Sequence, residues 1–323
     1  MTSEPGGQSG SGEPSSPAEP SSPGEPSNGA LATSPAVHVV RYEPTDPNPT
    51  QAAPVVLAIH GAMDRGTSFR RLARALPERT VLGFDRRGYA RSLAVPLATS
   101  LDDHVQDAIS VLERSSVHSS APTALADAQV VVFGHSFGGV VALRLAELRP
   151  DLVCHVIVYE APLPWLDWWP GSTSMRTGEE LGPEAAAEAF LGRFLGERIW
   201  SRMPESTRAE RRLEGLALMQ DSQMLRMGRW PYEPKNIFVP VTIGCGELSL
   251  PIHRQGAKFL FDVLTEAQAN GTDAAAVRFE EIPGAKHGAH LSHSSALAGT
   301  IRSVRGCQVA EGPGRLPRGT PKI

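Results

Sequence analysis

Short β-branched apolar runs recur along this chain, separated by helix-patterned segments. They occupy residues 36–42, 55–59, 80–84, 129–133, 155–159, 239–244 and 276–282. Several are continuously apolar, as a strand buried on both faces requires. The alternation predicts an α/β fold, a mostly parallel sheet flanked by helices. Helices are expected over 102–114, 138–149 and 253–269. The first follows Ser100 with Asp103 three residues on, a capping signal, and the second stops at Pro150.

The alternation breaks once. Residues 162–236 offer no convincing strand and contain all 5 tryptophans, Trp165, Trp168, Trp169, Trp200 and Trp230. This stretch is expected to form a helical cap inserted between two parts of the core, 36–161 and 237–305. Its "PWLDWW" directly follows a strand end, where ligands bind in open α/β sheets. Trp165, Trp168 and Trp169 are therefore candidates for a substrate pocket, with the cap's own core as their other role.

Composition bears on the ends and on what partners to exclude. Residues 1–35 are almost wholly Pro, Ser, Gly and Glu. They cannot bury enough apolar surface to offset the entropy of ordering, so a disordered tail is expected. They carry neither the basic nor the apolar region of a secretory signal. Residues 306–323 are turn-rich and are expected to form a second flexible tail. Net charge is -4, with positive charges interleaved among negative ones, which leaves no electrostatic footprint for nucleic acid or a membrane surface. No apolar run approaches the roughly 20 residues of a membrane span. Cys154, Cys245 and Cys307 are widely spaced; Cys154 and Cys245 fall in or beside expected core strands and read as inert buried thiols. The expectation is a soluble, cytoplasmic protein, of undetermined oligomeric state.

The chemistry is concentrated in "VVVFGHSFGGVVALRLA". An apolar strand meets Gly134-His135-Ser136-Phe137-Gly138 and a helical run follows at once, which is G-x-S-x-G in a strand–turn–helix setting. The turn at Ser136 is so sharp that side chains two positions either side would collide, hence the glycines. It exposes the serine oxygen and aims the backbone N–H of Phe137 toward the place where an oxyanion would form.

With this elbow in place the chain resembles an α/β-hydrolase over about residues 36 to 305. "VVLAIHGAM" is similar to the strand and His-Gly pair that supply the second oxyanion donor, here the N–H of Ala62. "GFDRRGYARS" resembles a loop of esterase-like and perhydrolase-like members, in which Asp85 and Arg86 would hold the loop and His60 would be structural. "IPGAKHGAHL" resembles the turn that carries the base. The family's order is serine, acid, histidine, which leaves His287, His290 and His293; His287 fits the Gly-x-x-His pattern, while His290 and His293 run into the last helix.

The acid is where this chain departs from the family. The common Gly-x-x-Asp after the strand at 239–244 puts Ser249 at the acid position. Glu160, in "VIVYEAPLPW", closes the strand next to the nucleophile's own, and adjacent strands lie roughly 4.8 Å apart. The haloalkane dehalogenase group places its acid at this strand end. Glu160 is the preferred acid and Glu247, in "GCGELSL", the alternative.

The resemblance implies a serine hydrolase acting on an ester, lactone or thioester through an acyl-enzyme, with no organic cofactor and no metal. The expected partner is a small molecule with an apolar acyl or alcohol group. Three alternatives stay open: a cofactor-free perhydrolase, an acyltransferase, and a non-catalytic binding protein on the same fold.

Overall fold

The computed structural model describes residues 36–46, 54–117, 130–269 and 276–304; the two expected tails lie outside the described residues. Seven strands form one sheet: β1 (Val39–Tyr42), β2 (Val55–Ile59), β3 (Val81–Phe84), β4 (Val130–His135), β5 (Val153–Tyr159), β6 (Val241–Gly246) and β7 (Val277–Ile282). Their spatial order is β1-β3-β2-β4-β5-β6-β7. Only β1 runs antiparallel; every other neighbouring pair is parallel. The expected α/β architecture is thus the observed one. β4 and β5 are buried along their whole length, which is why they read as unbroken apolar runs.

The helices are α1 (Arg70–Arg74), α2 (Leu101–Val117), α3 (Phe137–Leu148), α4 (Thr173–Leu181), α5 (Pro183–Leu195), α6 (Glu197–Trp200), α7 (Glu205–Arg212), α8 (Gly215–Leu225), α9 (Pro251–Ala269), α10 (Ala289–Ser292) and α11 (Ser294–Ser303). Helix α2 begins where its capping signal lies: the Asp103 carboxylate accepts from the backbone N–H of Thr99 (2.7 Å) and of Ser100 (3.1 Å). Residues of α2, α3 and α9 bury one face of the sheet, through Val105, Leu143 and Leu260 among others. Residues of α1 and α11, such as Leu72 and Ile301, bury the other. Between β5 and β6 the chain runs through α4–α8 without a strand. This segment packs on the sheet's loops through a third apolar cluster, in which Met63 and Tyr89 meet Ala187, Leu191, Trp200 and Leu218.

Register then gathers the strand ends. Ile59 pairs with Gly134, His135 with Tyr159, and Tyr159 with Gly244. The residues that follow β2, β4, β5 and β6 therefore emerge side by side at one edge of the sheet, the edge at which open α/β folds bind ligands. One thiol expectation is corrected. Cys245 is a buried free thiol, whereas Cys154 in β5 is disulfide-bonded. No described helix is long and apolar enough to cross a membrane.

Candidate active site

Ser136 stands between β4 and α3 with φ 53° and ψ -123°, a left-handed backbone that costs a side chain-bearing residue roughly 1–3 kcal/mol. Ladder bonds hold the turn: Ser136 N–H donates to the Tyr159 carbonyl (2.9 Å) and Gly139 N–H to the Ser136 carbonyl (2.8 Å). The glycines of the motif are dictated by backbone on both sides. A Cβ on Gly134 would strike the Gly138 carbonyl, and one on Gly138 would strike the Ile59 carbonyl of β2. The loop after β2 abuts Ser136 as well, since a Cβ on Gly61 would lie 2.9 Å from that of Ser136.

One strand over, Glu160 also has a left-handed backbone, φ 51°, and is 1% exposed. Its two oxygens are divided between two tasks. Oε2 meets Nδ1 of His287 at 2.7 Å. Oε1 accepts from the Gly246 N–H (2.8 Å) and from the Ser249 hydroxyl (2.5 Å). Burial pushes the Glu160 carboxyl upward, but the hydrogen bonds from His287, the Ser249 hydroxyl and the Gly246 N–H outweigh it and hold the group below the ordinary carboxylate range. The structure thus sets Glu160 against the histidine, while Ser249 reaches the same carboxylate from the other side. Glu247 is exposed and turned away, its carboxylate accepting from the Gly284 N–H at 2.8 Å.

A carboxylate on Nδ1 makes that nitrogen the donor and leaves the Nε2 lone pair free on the neutral ring. The His287 ring is enclosed by aromatic neighbours. His253 stacks on it at 4.4 Å, His135 lies 4.7 Å away, and Phe194 meets it edge-on at 5.9 Å. The His135 Nε2–H donates to the His287 carbonyl (2.9 Å) and the Tyr159 hydroxyl to the Lys286 carbonyl (3.0 Å), which fixes the turn that carries His287. Burial and the neighbouring His290 and His287 keep His135 far below the usual histidine range, so it stays neutral.

Ser136, His287 and Ala62 line one cavity of about 300 Å³. Its apolar wall comes from α5 and α6 and the turn after them: Phe190, Leu191, Phe194, Leu195, Trp200 and Met203. Phe190 and Phe194 stack at 6.1 Å on one face of α5, a pair readable as i,i+4 apolar spacing. Phe137 packs its ring under the Arg86 guanidinium, 4.4 Å away, at the start of α3. The three tryptophans considered for a pocket lie elsewhere. Trp165 is buried against Trp230 (5.3 Å) and Tyr232 (6.1 Å), Trp168 packs on Phe259 (5.5 Å), and Trp169 closes on α9 at Gly256. They join the chain after β5 to α9, and the tryptophan in the Ser136 cavity is Trp200.

Other candidates settle into structural positions. The His60 Nδ1–H donates to the Gly61 carbonyl (2.7 Å) and Nε2 accepts from the Arg86 N–H (2.9 Å); burial pushes this ring down to about 3. Asp85 accepts from the Gly66 N–H at 2.8 Å. Arg86 is fully buried and pairs with Asp221 of α8 at 2.7 Å. His290, in α10, is 1% exposed, and its Nε2 meets Asp64 at 3.0 Å.

Comparisons with known proteins bear on the family and the fold. The model of the Alpha/beta hydrolase family matches residues 55–300. The lipase LipV of Mycobacterium tuberculosis is 36% identical over 125 residues, spanning 38% of this chain and 41% of the lipase. Among solved structures, a thermophilic esterase from Thermogutta terrifontis superposes with a TM-score of 0.56 at 18% identity, covering 82% of this chain and 91% of its own. The type II thioesterase BorB of the borrelidin biosynthetic cluster superposes at 0.55 with 22% identity, covering 82% and 96%. At these identities the two structures establish a shared fold.

Proposed function

Because this chain belongs to the alpha/beta hydrolase family, we propose that it is a serine hydrolase that cleaves a carboxylic ester or a related acyl bond, with Ser136 as nucleophile, His287 as base and Glu160 as acid. The observation that carries this reading is the 2.7 Å contact between Glu160 and His287 Nδ1, in a cavity that both Ser136 and His287 line. The fold alone does not decide the reaction, because one scaffold hosts many chemistries.

In the first step Nε2 of His287 takes the Ser136 hydroxyl proton as Oγ bonds to the acyl carbon. Glu160 keeps the ring in the tautomer that can do this and stabilises the imidazolium. The charge that builds on the carbonyl oxygen is met by the N–H groups of Phe137 and Ala62. The alkoxide leaves with the proton held on Nε2, and the acyl group stays on Ser136. Water then gives a proton to Nε2, its oxygen bonds to the acyl carbon, and Ser136 departs with that proton. A serine at the elbow separates this scheme from dehalogenase or epoxide hydrolase chemistry, which attacks through a carboxylate. The apolar wall from α5 and α6 suits an apolar acyl or alcohol group, and about 300 Å³ lies at the small end of the range for ligand sites. The helices α4–α8 act here as a cap.

Labelling with a fluorophosphonate tests the reading, followed by mass mapping and hydrolysis of p-nitrophenyl esters. Wild type should be labelled on Ser136 and turn over short esters, and Ser136→Ala should do neither. Unlabelled wild type would remove the hydrolase reading, and peroxide-dependent turnover would move the protein to the perhydrolase class.

A further inference from the structure

A second carboxylate–imidazole contact lies beside the first, and the chemistry above leaves it without a task. Asp64 sits two residues beyond Ala62, in the loop that carries the second oxyanion donor. Its Oδ1 accepts from the Arg65 N–H (2.9 Å) and from the Ser68 hydroxyl, while Oδ2 meets His290 Nε2 at 3.0 Å. Burial works to raise the Asp64 carboxyl, yet the hydrogen bond and charge of His290 hold it far below its ordinary value. The loop itself is strained, with Met63 at φ 52°, and it is tied from above by Arg211 of α7, which donates to the Met63 carbonyl.

His290 begins three residues after the base, in α10. Its ring lies 4.2 Å from that of His135 and 5.6 Å from Phe69. His135 in turn precedes the nucleophile and donates to the His287 carbonyl at 2.9 Å. Asp64, His290 and His135 therefore connect the oxyanion loop, the elbow and the base turn. These three side chains also have the donor types of a transition-metal site. Both Nε2 atoms are committed, to the His287 carbonyl and to Asp64, while both Nδ1 atoms are buried without a partner. The contacts that are made form a hydrogen-bonded brace between the three segments.

We propose that Asp64 and His290 are a positioning pair that holds the Ala62 N–H in register with Ser136 and His287. The inference rests on the hydrolase reading. His290 does not line the Ser136 cavity, whereas Asp64 does, so the His290 side separates positioning from substrate contact. Their contribution is to a geometry in which a shift of about 1 Å costs on the order of a hundredfold in rate. A pair that served stability alone would lower the melting temperature without singling out oxyanion stabilisation.

The test compares His290→Phe, which keeps a ring beside Phe69 and His135 but donates nothing to Asp64, with His290→Gln, which retains an N–H donor. Each is assayed on a p-nitrophenyl ester and on its thionoester, whose sulfur gains little from backbone N–H donors. Loss of the Ala62 register should lower kcat for the ester about tenfold or more in His290→Phe, with KM within about twofold. The thionoester should be affected far less, so the ester-to-thionoester ratio collapses, and His290→Gln should recover most of the loss. Where His290→Phe does not fold, Asp64→Asn carries the same comparison. Parallel losses on the two substrates, or a kcat within about twofold of wild type, would overturn the positioning role. A wild type inactive on both substrates and unlabelled by fluorophosphonate would instead sink the hydrolase reading, and this inference with it.

Discussion

At Glu160 the backbone adopts a left-handed conformation, φ 51°, that side chain-bearing residues rarely take. Such strain persists where the surroundings over-determine it, and here three donors do so: Gly246 N–H, the Ser249 hydroxyl and His287. In the sequence, Ser249 looks like an acid position left empty. In the fold its hydroxyl donates to the Glu160 carboxylate one strand away, a contact that 89 residues of separation keep out of any local pattern. Ser249→Ala should remove a hydrogen bond to a charged group, worth about 1.5–3 kcal/mol. The sign with pH follows from Glu160. Its folded pKa is depressed, so the anion stabilises the native state above the ordinary carboxyl value, and this is lost as pH falls through the folded value. Thermal melts of wild type and Ser249→Ala should therefore differ most at neutral pH and converge as pH falls through the folded value. A constant gap across that range would deny Glu160 its charge.

Between elements, α8 is joined to the core by one buried ion pair. Asp221 meets Arg86 (2.7 Å), the Tyr89 hydroxyl (2.8 Å) and His104 Nε2 (3.2 Å), while Arg86 also donates to the carbonyls of His60 and Gly61 at 3.1 Å. Removing one partner of a buried pair leaves an uncompensated charge and costs about 3–5 kcal/mol. Asp221→Ala should thus lower the melting temperature by roughly 10 °C, while a surface pair such as Lys258–Asp262 should cost little when broken. Helix α5 carries a prediction about substrates. Phe190→Ala should raise KM about tenfold for esters with a bulky apolar acyl group, the scale of a lost aromatic contact, and leave acetyl esters nearly unchanged. Steady-state kinetics on an ester series would read this directly. What was legible beforehand divides along the same line. The inner strands β2 to β6 announced themselves because burial on both faces leaves an unbroken apolar run, the partly exposed edge strands β1 and β7 less so, and the elbow because its geometry needs glycines within five residues. The contacts of Asp64 with His290 and of Arg86 with Asp221 span 226 and 135 residues, and no local spacing encodes them. The tryptophans follow a strand end, where ligands bind in open α/β sheets, but α9 packs there too, and the Ser136 cavity is lined by Trp200 instead.

For the whole molecule, the sheet and its loops bury several histidines in the neutral form. Burial pushes His60 down to about 3 and both His155 and His253 down to about 4, and it lowers His104 and His135 too. The unfolded chain binds these protons near pH 6.5, so the stability their neutrality confers is complete above that value and falls as pH drops toward the folded values. Each contributes up to about 1.4 kcal/mol per pH unit in that window. Melting temperature should accordingly decline between pH 7 and pH 5, before most carboxylates titrate, and a flat profile would mean that these rings are protonated in the fold. The central claim joins all three scales: a triad whose acid closes β5 and whose usual acid position serves as its support. Its most direct test is the single-turnover acylation rate on one p-nitrophenyl ester for wild type, Glu160→Gln and Glu247→Gln. The account predicts a fall of about 10³ to 10⁴ for Glu160→Gln and a rate near wild type for Glu247→Gln. The reverse pattern, with Glu247→Gln disabled and Glu160→Gln active, would contradict it.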